Sequence, residues 1–440
     1  MTPQNYSHAV VVGGSIAGLL AAKVLSNFFS KVTVIDKDTF PESVSARNAV
    51  PQGRHLHVLL NRGYKILNDF FPGFWQDMQE RGSVEFDMCD DFRWHQWGTI
   101  KKRVPSGLDS MFQSRPFLEH YLRAETLKTS NINFRSGKFL RLVIDKSKNT
   151  VKGIDIESDH KINHMDCDWT VLTPGRLAPL PSWLAEVGVG SIPTSEINNR
   201  IGYASAWVKI PKDVASDWKA IAVVPEAPSD KRGGVIVPVE DDCHIVTLFG
   251  YVGDHPENRK DEFLKFSASL HNKSIFKILE QSEFIGNIEL YKFPKSYWRH
   301  FESCNNFPGN LSILGDAAAS FNPIYGQGMT VAAIGAEVLN EFLLSDSKNS
   351  LKFQKDLAKQ IKVPWDMTRD VDRRYPEVGM SINWLEKFLV NYKLKLDKMC
   401  IVDENIALNF SRVVNLVQTP NSLVKPSILF RVMSSRNPVP

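Results

Sequence analysis

The hydrophobic pattern of the first forty residues predicts a strand, a tight turn, a helix and a second strand. An apolar run at 9–12 leads into a glycine-rich turn, an apolar stretch with helical spacing follows at 19–25, and a β-branched run at 32–35 ends in Asp36. In a dinucleotide-binding unit such a turn admits a pyrophosphate at the helix N-terminus. An acidic residue about 20 positions later then accepts hydrogen bonds from a ribose.

The turn departs from the usual three-glycine pattern at one position. Gly13, Ser15 and Gly18 occupy the three glycine positions, so that a serine stands in the middle. A serine is small enough to let the backbone approach a phosphate, and its hydroxyl can itself donate a hydrogen bond. The alternative is a glycine-rich structural turn without a ligand. The flanking strand and helix, together with the position of Asp36, favour the nucleotide site.

The middle of the chain alternates between helical and strand-like patterns. A polar loop at 37–49 precedes a helical pattern at 59–71, and Arg47 and Arg54 bracket the start of that helix. Each guanidinium suits a pyrophosphate, or else is a solvated loop charge. A β-rich stretch at 84–113, a helix from Ser114 and a strand at 170–176 follow. From 201 onward, strand patterns joined by Pro, Asp and Gly turns predict a mostly antiparallel sheet covered by helical segments.

A second informative stretch lies at 311–329. An apolar strand ends in Gly315-Asp316, a Pro-x-Tyr-Gly-x-Gly loop begins at Pro323, and a long apolar helix follows Gly328. An acidic side chain at a strand end can accept from ligand hydroxyls, and glycines before a helix let backbone N–H groups reach an anionic oxygen. The alternative is a tight crossover between domains. Because the chain already carries the turn at Gly13, the pattern favours a second contact with the same cofactor.

The last hundred residues read as helical, with charged residues between apolar ones. We expect the apolar side chains of this region to pack back on the body, among them Trp384, Leu385, Phe388 and Leu389. Contact with lipid or with a carrier protein is the alternative.

Composition narrows the class of protein. The 440 residues suggest two or three domains, and 43% apolar with 23% charged residues is typical of a globular protein. A net charge of +4 with interspersed signs gives no case for nucleic acid. The five scattered cysteines indicate neither a zinc site nor a disulfide framework, and His55 and His57 lack a third metal ligand, so we expect no metal. Without a secretory signal or a membrane span in the sequence, we expect a cytoplasmic protein.

With both stretches located, the chain resembles the class A flavoprotein monooxygenases of the para-hydroxybenzoate hydroxylase fold. Within them it looks most similar to bacterial epoxidases and hydroxylases of secondary metabolism, such as the polyether-pathway epoxidases. The resemblance is carried by residues 11–36, 50–57, 114–123, 175–183 and 313–329. It implies an α/β fold with a Rossmann-like FAD-binding domain, an inserted antiparallel-sheet substrate domain and a C-terminal helical region. The implied segments are FAD-binding at 1–85, 114–200 and 301–345, substrate-binding at 86–113 and 201–300, and helical at 346–440.

The resemblance implies FAD rather than NAD in the first site. Asp36, with Lys37 beside it, would hold the adenosine ribose. Arg47 or Arg54, together with Arg115, would contact the pyrophosphate and the ribityl chain, and Asp316 would accept from a ribityl hydroxyl. The remaining implied contacts are Gly13, Gly14, Ser15, Ile16, Ala17 and Gly18 at the pyrophosphate, and Pro323, Gly326, Gly328 and Met329 at the flavin ring.

The implied reaction is oxygenation of a bulky hydrophobic small molecule. NAD(P)H reduces the FAD, O2 adds at flavin C4a, and the resulting hydroperoxide transfers one oxygen atom in an epoxidation or a hydroxylation. No side-chain nucleophile is required, so no catalytic residue is named. One position departs from the family pattern, because the acid of its Asp-x-x-Gly-Arg motif is Leu172 here.

Three other functions are alternatives to a monooxygenase. A related halogenase is disfavoured, because Trp-x-Trp-x-Ile-Pro is absent and its nearest counterpart is 206–211, which carries a tryptophan only at Trp207. A flavin-dependent reductase or dehydrogenase of an isoprenoid-like substrate and a non-catalytic flavin-binding protein both remain open. The sequence does not determine the oligomeric state.

Overall fold

The computed structural model describes residues 6–214, 218–345, 347–381 and 383–435. Three of the expected segments, at 1–85, 201–300 and 346–440, therefore include residues outside the described part. The strands in chain order are β1 (Tyr6–Val12), β2 (Phe29–Asp36), β3 (Val84–Asp87), β4 (Phe92–Gln96), β5 (Thr99–Ile100), β6 (Asp109–Phe112), β7 (Ile132–Ser136), β8 (Lys138–Asp145), β9 (Thr150–Ser158), β10 (Lys161–Asp166), β11 (Trp169–Leu172), β12 (Thr194–Ile197), β13 (Ile201–Lys209), β14 (Ala220–Val223), β15 (Arg232–Pro238), β16 (His244–Gly250), β17 (Glu283–Phe293), β18 (Ser296–Arg299), β19 (Leu311–Ile313) and β20 (Ala319–Ser320).

The helices in chain order are α1 (Ile16–Leu25), α2 (Asn61–Phe70), α3 (Phe74–Glu80), α4 (Arg115–Leu127), α5 (Leu180–Ala185), α6 (Lys260–Ser269), α7 (Ser274–Leu279), α8 (Gly328–Leu344), α9 (Ser350–Asp372), α10 (Trp384–Met399), α11 (Glu404–Val414) and α12 (Pro426–Ser434).

A five-stranded parallel sheet forms the first layer, in the order β19-β11-β1-β2-β7. Helices α1 and α8 pack together on it, and the three-stranded sheet β10-β9-β8 contacts β2 and β11. The central strands are buried and read as continuous apolar runs. Strand β11 lies between β1 and β19, so the strand predicted at 170–176 belongs to this sheet. The carboxyl ends of β1, β11 and β19 therefore meet at one edge, where ligands bind in such folds.

A seven-stranded sheet forms the second body, in the order β17-β13-β16-β15-β14-β4-β5. Its pairings are antiparallel except for β14 with β4, which run parallel. Strand β4 comes from the early β-rich stretch, so two separate parts of the sequence build this sheet. Helices α6 and α7 cover one face through apolar side chains that include Phe263, Leu270 and Ile275. The mostly antiparallel sheet and its helical cover are as predicted.

Helices make up the C-terminal region from α9 onward, which completes the predicted α/β fold. None of the helices in the described residues is long and apolar enough to cross a membrane. Helix α10 begins with a capping box between Asn383 and Glu386. Its first two turns leave Trp384, Leu385, Phe388 and Leu389 exposed, so the expectation that these side chains pack back on the body is wrong.

Candidate functional site

A cavity of about 920 Å³ lies where the carboxyl ends of the parallel strands face the seven-stranded sheet. Its walls are mostly apolar, and they come from both sheets and from α8 to α11. The implied cofactor residues that line it are Gly13, Ser15, Ile16, Ala17, Asp36, Lys37, Arg47, Arg115, Asp316, Pro323, Gly326, Gly328 and Met329. The three implied residues outside its lining are Gly14, Gly18 and Arg54.

Close backbone packing explains the glycines of the turn after β1. Gly13 has a φ of +104°, and a Cβ there would lie 2.3 Å from the Thr173 carbonyl oxygen. A Cβ on Gly18 would lie 1.7 Å from the carbonyl oxygen of Gly13, so only glycine lets α1 start this close to the strand. Thr173 completes the turn, because its Oγ1 donates to the carbonyl oxygens of Val12 and Gly13 at 2.9 and 3.0 Å.

Asp36 is held in an ion pair at the end of β2. Its Oδ2 lies 2.7 Å from Nη2 of Arg47 and accepts from the Gly14 amide at 2.7 Å, while Oδ1 accepts from the Asp38 amide at 2.9 Å. Arg47 also donates from Nη1 to Glu119 at 2.7 Å, and its guanidinium lies over the Phe40 ring. Burial lowers the pKa of Arg47, but the charges of Asp36 and Glu119 outweigh burial and leave that pKa raised.

Ser15 and Arg115 meet at the start of α1 and α4. Nη2 of Arg115 donates to the Ser15 hydroxyl at 2.8 Å, and that hydroxyl donates to Oε2 of Glu119 at 2.9 Å. The Ser15 proton is thus directed to a carboxylate rather than into the cavity. Ser114 caps α4 and bonds to Glu240 through both its amide and its hydroxyl, which joins this helix to the seven-stranded sheet.

Arg54 lies apart from the turn. It belongs to a 3₁₀ turn at Pro51–Arg54, and Nη2 donates to Asn48 Oδ1 at 3.4 Å. The expectation that Arg47 and Arg54 bracket the start of a helix is wrong, because α2 begins only at Asn61, after both of them. Of these two, Arg47 is the one that lies at the glycine turn.

Asp316 follows β19 in a 3₁₀ turn and lines the cavity. Its carboxylate makes no hydrogen bond or ion pair with any described residue, whereas its carbonyl oxygen accepts from the Tyr297 hydroxyl at 2.9 Å. Burial raises the pKa of this carboxyl, and the positive charges of Arg176 and Arg115 act in the opposite direction. An unpartnered carboxylate facing a cavity is suited to accept hydrogen bonds from ligand hydroxyls.

The loop before α8 is fixed to the C-terminal region by a buried carboxylate. Asp372 accepts from Tyr325 OH at 2.8 Å, from Asn322 Nδ2 at 3.0 Å and from Asn199 Nδ2 at 2.9 Å. Tyr251 OH lies 3.0 Å from Tyr325 OH. Burial raises the pKa of Asp372 to about 6, although these hydrogen bonds lower it. The contacts hold the Pro323 turn against both α9 and the seven-stranded sheet.

Helix α8 directs its N-terminus toward the cavity. Gly328 and Met329, its first two residues, line the wall, and the helix runs for 17 residues. Thr330 fixes α8 to the start of α2, since its Oγ1 accepts a hydrogen bond from the Leu60 amide at 3.1 Å. The unpaired N–H groups and the dipole make this end favourable for negative charge.

The other half of the cavity is aromatic. Trp94, Tyr203, Phe249 and Tyr291 line it from the seven-stranded sheet. His57 also lines the wall, and burial, assisted by the charge of Arg115, lowers its pKa to about 3, so this imidazole is neutral. These four rings and the neutral imidazole form an uncharged wall.

His55 is a packing residue. Its Nδ1 lies 2.9 Å from the Ser205 hydroxyl, its ring contacts Tyr203 edge to face, and burial lowers its pKa to about 4. Among the described residues, no group of three or more His, Cys, Asp or Glu side chains could hold a metal ion.

Leu172 is a core residue rather than a cavity residue. It is fully buried in β11 and pairs in register with Val12 and Ile313 in the parallel sheet. The residues that follow it, from Thr173 to Arg176, do line the cavity. Arg176 lies over the Phe293 ring at 3.9 Å and donates to the Lys295 carbonyl at 3.0 Å.

Sequence reasoning missed four polar residues of this site, namely Glu119, Thr173, Arg176 and Asp372. Glu119 had a usable signal, because it stands one helical turn after Arg115, where an acid and a base pair. Asp372 had no such signal, because its hydrogen-bond partners, such as Asn199 and Asn322, lie far away in sequence.

Comparison with known proteins adds two kinds of similarity. No family model matches the sequence. A relative from Mycobacterium tuberculosis, Protein Rv3254, is 32% identical over 366 residues, which cover 80% of this chain and 76% of the relative.

Similar solved structures include enzymes of two activities. The flavin-dependent brominase Bmp2 superposes with a TM-score of 0.71 at 13% identity, covering 97% of this chain and 98% of that one. The p-nitrophenol 4-monooxygenase PnpA from Pseudomonas putida gives a TM-score of 0.64 at 17% identity over 94% and 99% of the two chains. The flavin-dependent halogenase CmlS gives 0.64 at 15% identity over 94% and 78%. At these identities the likeness is one of fold. The chain therefore belongs to the same family as the mycobacterial Protein Rv3254, and it has the fold shared by flavin-dependent monooxygenases and halogenases.

Proposed function

We propose that the chain is an FAD-dependent monooxygenase that adds one oxygen atom from O2 to a bulky hydrophobic small molecule, with NAD(P)H as the reductant. The observation that carries this proposal is that one cavity has two different sides. The glycine turn, Asp316 and the start of α8 line one side, and aromatic side chains line the other. Such a cavity can hold a long cofactor and an apolar substrate side by side. The finer assignment, to epoxidation or hydroxylation in secondary metabolism, rests on the resemblance seen in the sequence.

The residues present fit FAD. Glycine is required at Gly13 and Gly18 by the close backbone contacts. The amides of Gly13 and Gly14 are bonded within the fold, which leaves the N–H groups at the N-terminus of α1 open to a pyrophosphate. The unpartnered carboxylate of Asp316 suits a ribityl hydroxyl. Asp36 suits the adenosine ribose through acceptor capacity that its bonds leave free. FAD bound there would supply the redox and oxygen-activating chemistry.

The protein's own contribution would be positioning and electrostatics. The N-terminus of α8, at Gly328 and Met329, stabilises negative charge at the pyrimidine edge of a flavin. Arg115 contributes positive charge near the pyrophosphate, held in place by Glu119. The apolar walls exclude water and orient a hydrophobic substrate beside Pro323. Oxygen transfer to an olefin then needs no side-chain acid or base.

The division into domains is part of the same proposal. The parallel strands β1, β2, β7, β11 and β19 all come from the segments proposed to bind FAD, at 1–85, 114–200 and 301–345. The seven-stranded sheet draws its strands from the segments proposed to bind substrate, at 86–113 and 201–300. The helical region at 346–440 closes the cavity with residues of α9, α10 and α11.

The test is reconstitution with FAD followed by turnover assays. We expect a yellow protein with one FAD per chain, and oxidation of NADH or NADPH with O2 uptake that a hydrophobic olefin or activated aromatic stimulates. A colourless protein that takes up no FAD would refute the proposal. A halogenase, which the sequence disfavours, would instead give a brominated product that depends on added bromide.

Two further outcomes would replace the monooxygenase by one of the alternatives. A yellow protein that reduces or oxidises an isoprenoid-like substrate without consuming O2 would be a reductase or dehydrogenase. A yellow protein that neither NADH nor NADPH reduces, and that forms no product, would be a non-catalytic flavin-binding protein.

A further inference from the structure

Helices α10 and α12 carry large apolar side chains that no described residue covers. On α10, Trp384 is 81% exposed and Phe388 is 53% exposed, and on α12, Phe430 is 74% exposed. We call this group the C-terminal face; its members are Trp384, Leu385, Phe388, Leu389, Leu429, Phe430 and Met433. Single exposed apolar residues are ordinary on protein surfaces, but four within two turns of α10, with three more on the helix that packs against it, indicate a binding surface.

The C-terminal face belongs to a folded part of the chain. The two helices pack against each other through a buried cluster that includes Tyr392, Leu396, Ile428 and Val432. The apolar stripe of α10 is therefore covered in its second half and uncovered in its first half. The capping box at Asn383 fixes the uncovered turns as helix.

The charges around this face are basic. Residues 383–435 contain seven basic and four acidic side chains. Three of these acids pair with bases elsewhere in the chain, namely Glu386 with Arg373, Asp397 with Lys101 and Glu404 with Lys102.

Four lysines of the segment lack an acidic partner among the described residues. They are Lys387, which stands between Trp384 and Phe388 in sequence, Lys395, whose Nζ lies 3.3 Å from the Met433 carbonyl oxygen, Lys398, whose Nζ lies over the Trp97 ring, and Lys425 at the start of α12. Exposed Trp and Phe flanked by unpaired lysines is the composition of helices that lie in the interface of a membrane with anionic lipids.

A second copy of the chain fits this face less well. A twofold contact places the same surface on both subunits, so both sides of the contact would carry the positive charge of the unpaired lysines. An anionic lipid surface compensates them and also takes up the apolar side chains.

We propose that the C-terminal face binds the surface of a lipid bilayer that contains anionic lipids, with the apolar side chains of α10 and α12 inserted among the headgroups. Helix α10 also lines the cavity through Lys393, Leu396 and Asp397, so the bound bilayer would lie next to a wall of the cavity. Delivery of a lipid-dissolved hydrophobic substrate follows from this placement. That delivery rests on the proposed function, whereas bilayer binding does not.

The experiment is co-sedimentation of the full chain with vesicles, without turnover. We expect binding to phosphatidylcholine vesicles that contain about a quarter phosphatidylglycerol, and weaker binding both to pure phosphatidylcholine and in high salt. The triple variant Trp384→Ser, Phe388→Ser, Phe430→Ser should lower the partition coefficient by at least about tenfold. The double variant Lys387→Glu, Lys425→Glu should abolish the preference for the anionic vesicles.

A matched control replaces two exposed apolar residues on the body, Leu127→Ser and Ile162→Ser, whose side chains are 53% and 71% exposed. This control should bind vesicles like the wild type, and the circular dichroism of every variant should match it. The proposal is overturned if the wild type stays in the supernatant, or if the triple variant binds as well as the control. A dimer in light scattering that the triple variant dissociates, without vesicle binding, would assign the face to a second copy instead. A monomer that binds no vesicles would leave an acidic protein as the occupant, which equally overturns the proposal.

Discussion

The guanidinium of Arg47 is ion-paired with Asp36, with Nη2 and Oδ2 2.7 Å apart and both side chains buried. The same guanidinium donates to Glu119 at 2.7 Å. One arginine thus holds two carboxylates on either side of the glycine turn. The acid that closes β2 is therefore oriented by the protein before any ribose reaches it.

Replacing this arginine should destabilise the fold strongly. Arg47→Met leaves Asp36 and Glu119 buried without their shared cation, and breaking a buried ion pair in this way costs about 3–5 kcal/mol. We expect a loss of that order in the free energy of unfolding, measured by urea denaturation of the flavin-free protein.

Arg54→Met is the matched control. Arg54 makes one hydrogen bond of 3.4 Å, to Asn48, so its replacement should change the free energy of unfolding by less than about 1 kcal/mol. Equal effects of the two substitutions would contradict the ion-pair interpretation.

The third glycine of the turn should tolerate no side chain. In Gly18→Ala the new Cβ would lie 1.7 Å from the Gly13 carbonyl oxygen, which is backbone and cannot move aside without shifting β1 or α1. We expect a loss of more than about 3 kcal/mol in unfolding free energy, or no soluble protein. Gly190→Ala is the control, because nothing lies within 4 Å of a Cβ there and its backbone is not left-handed. A stable Gly18→Ala variant would show that the turn is looser than described.

Much of the fold was predictable because its signals are local. The apolar run before Gly13, the turn and Asp36 lie within one βαβ unit, where spacing alone specifies strand, helix and strand. The helix beginning after Ser114 was predictable for the same reason, since a serine cap and a proline in the first turn mark its start.

What the sequence could not supply is the pairing of side chains across long separations. Ser15 was expected to be able to donate a hydrogen bond to a phosphate, but its hydroxyl donates instead to the carboxylate of Glu119, 104 positions away. Leu172 stood out as a missing acid, yet its side chain points into the core of the sheet. The exposure of Trp384 was also hidden, because an apolar stripe reads the same whether or not another surface covers it.

Asp316→Asn should have opposite effects on cofactor binding and on stability. The carboxylate has no partner among the described residues and burial raises its pKa, so the neutral amide should leave the flavin-free protein equally stable or more stable. A lost charge-assisted hydrogen bond to a ribityl hydroxyl should weaken FAD binding by at least about tenfold. Fluorescence titration with FAD and urea denaturation measure the two effects.

The exposed Asp242 supplies the control for that experiment. Asp242→Asn should change neither FAD affinity nor stability. If Asp316→Asn binds FAD like the wild type, the assignment of Asp316 to the cofactor fails, whatever its effect on stability.

Placing at Leu172 the acid of the monooxygenase motif that the sequence resembles should harm the protein. Leu172→Asp would place a charge in a strand that is fully buried between Val12 and Ile313, with no base beside it. We expect insoluble protein or a loss of several kcal/mol in unfolding free energy. Leu172→Met, which conserves volume, should cost less than about 1.5 kcal/mol. A stable Leu172→Asp protein would mean that the side chain reaches the cavity after all.

Asp372 should make stability fall as pH rises through its titration range. Its pKa is raised from 3.8 to about 6 in the folded protein by burial, so the folded state holds the proton more tightly than the unfolded state. The stabilisation from this proton is complete below about pH 4 and is lost as pH rises through about 6, which amounts to about 3 kcal/mol. Other carboxyl groups of the chain, such as those of Asp230 and Asp403, have lowered pKa values and act in the opposite direction.

The comparison that isolates this group is the wild type against Asp372→Asn, each unfolded with urea between about pH 4 and pH 7. The amide of the variant cannot titrate. The free energy that it loses in its contacts with Asn199, Asn322 and Tyr325 is the same at every pH, so this loss cancels when the two pH slopes are compared. We expect the wild type to lose about 2 kcal/mol relative to the variant over this range. Parallel pH profiles would show that Asp372 stays ionised throughout, and its hydrogen bonds would then hold the Pro323 turn at every pH tested.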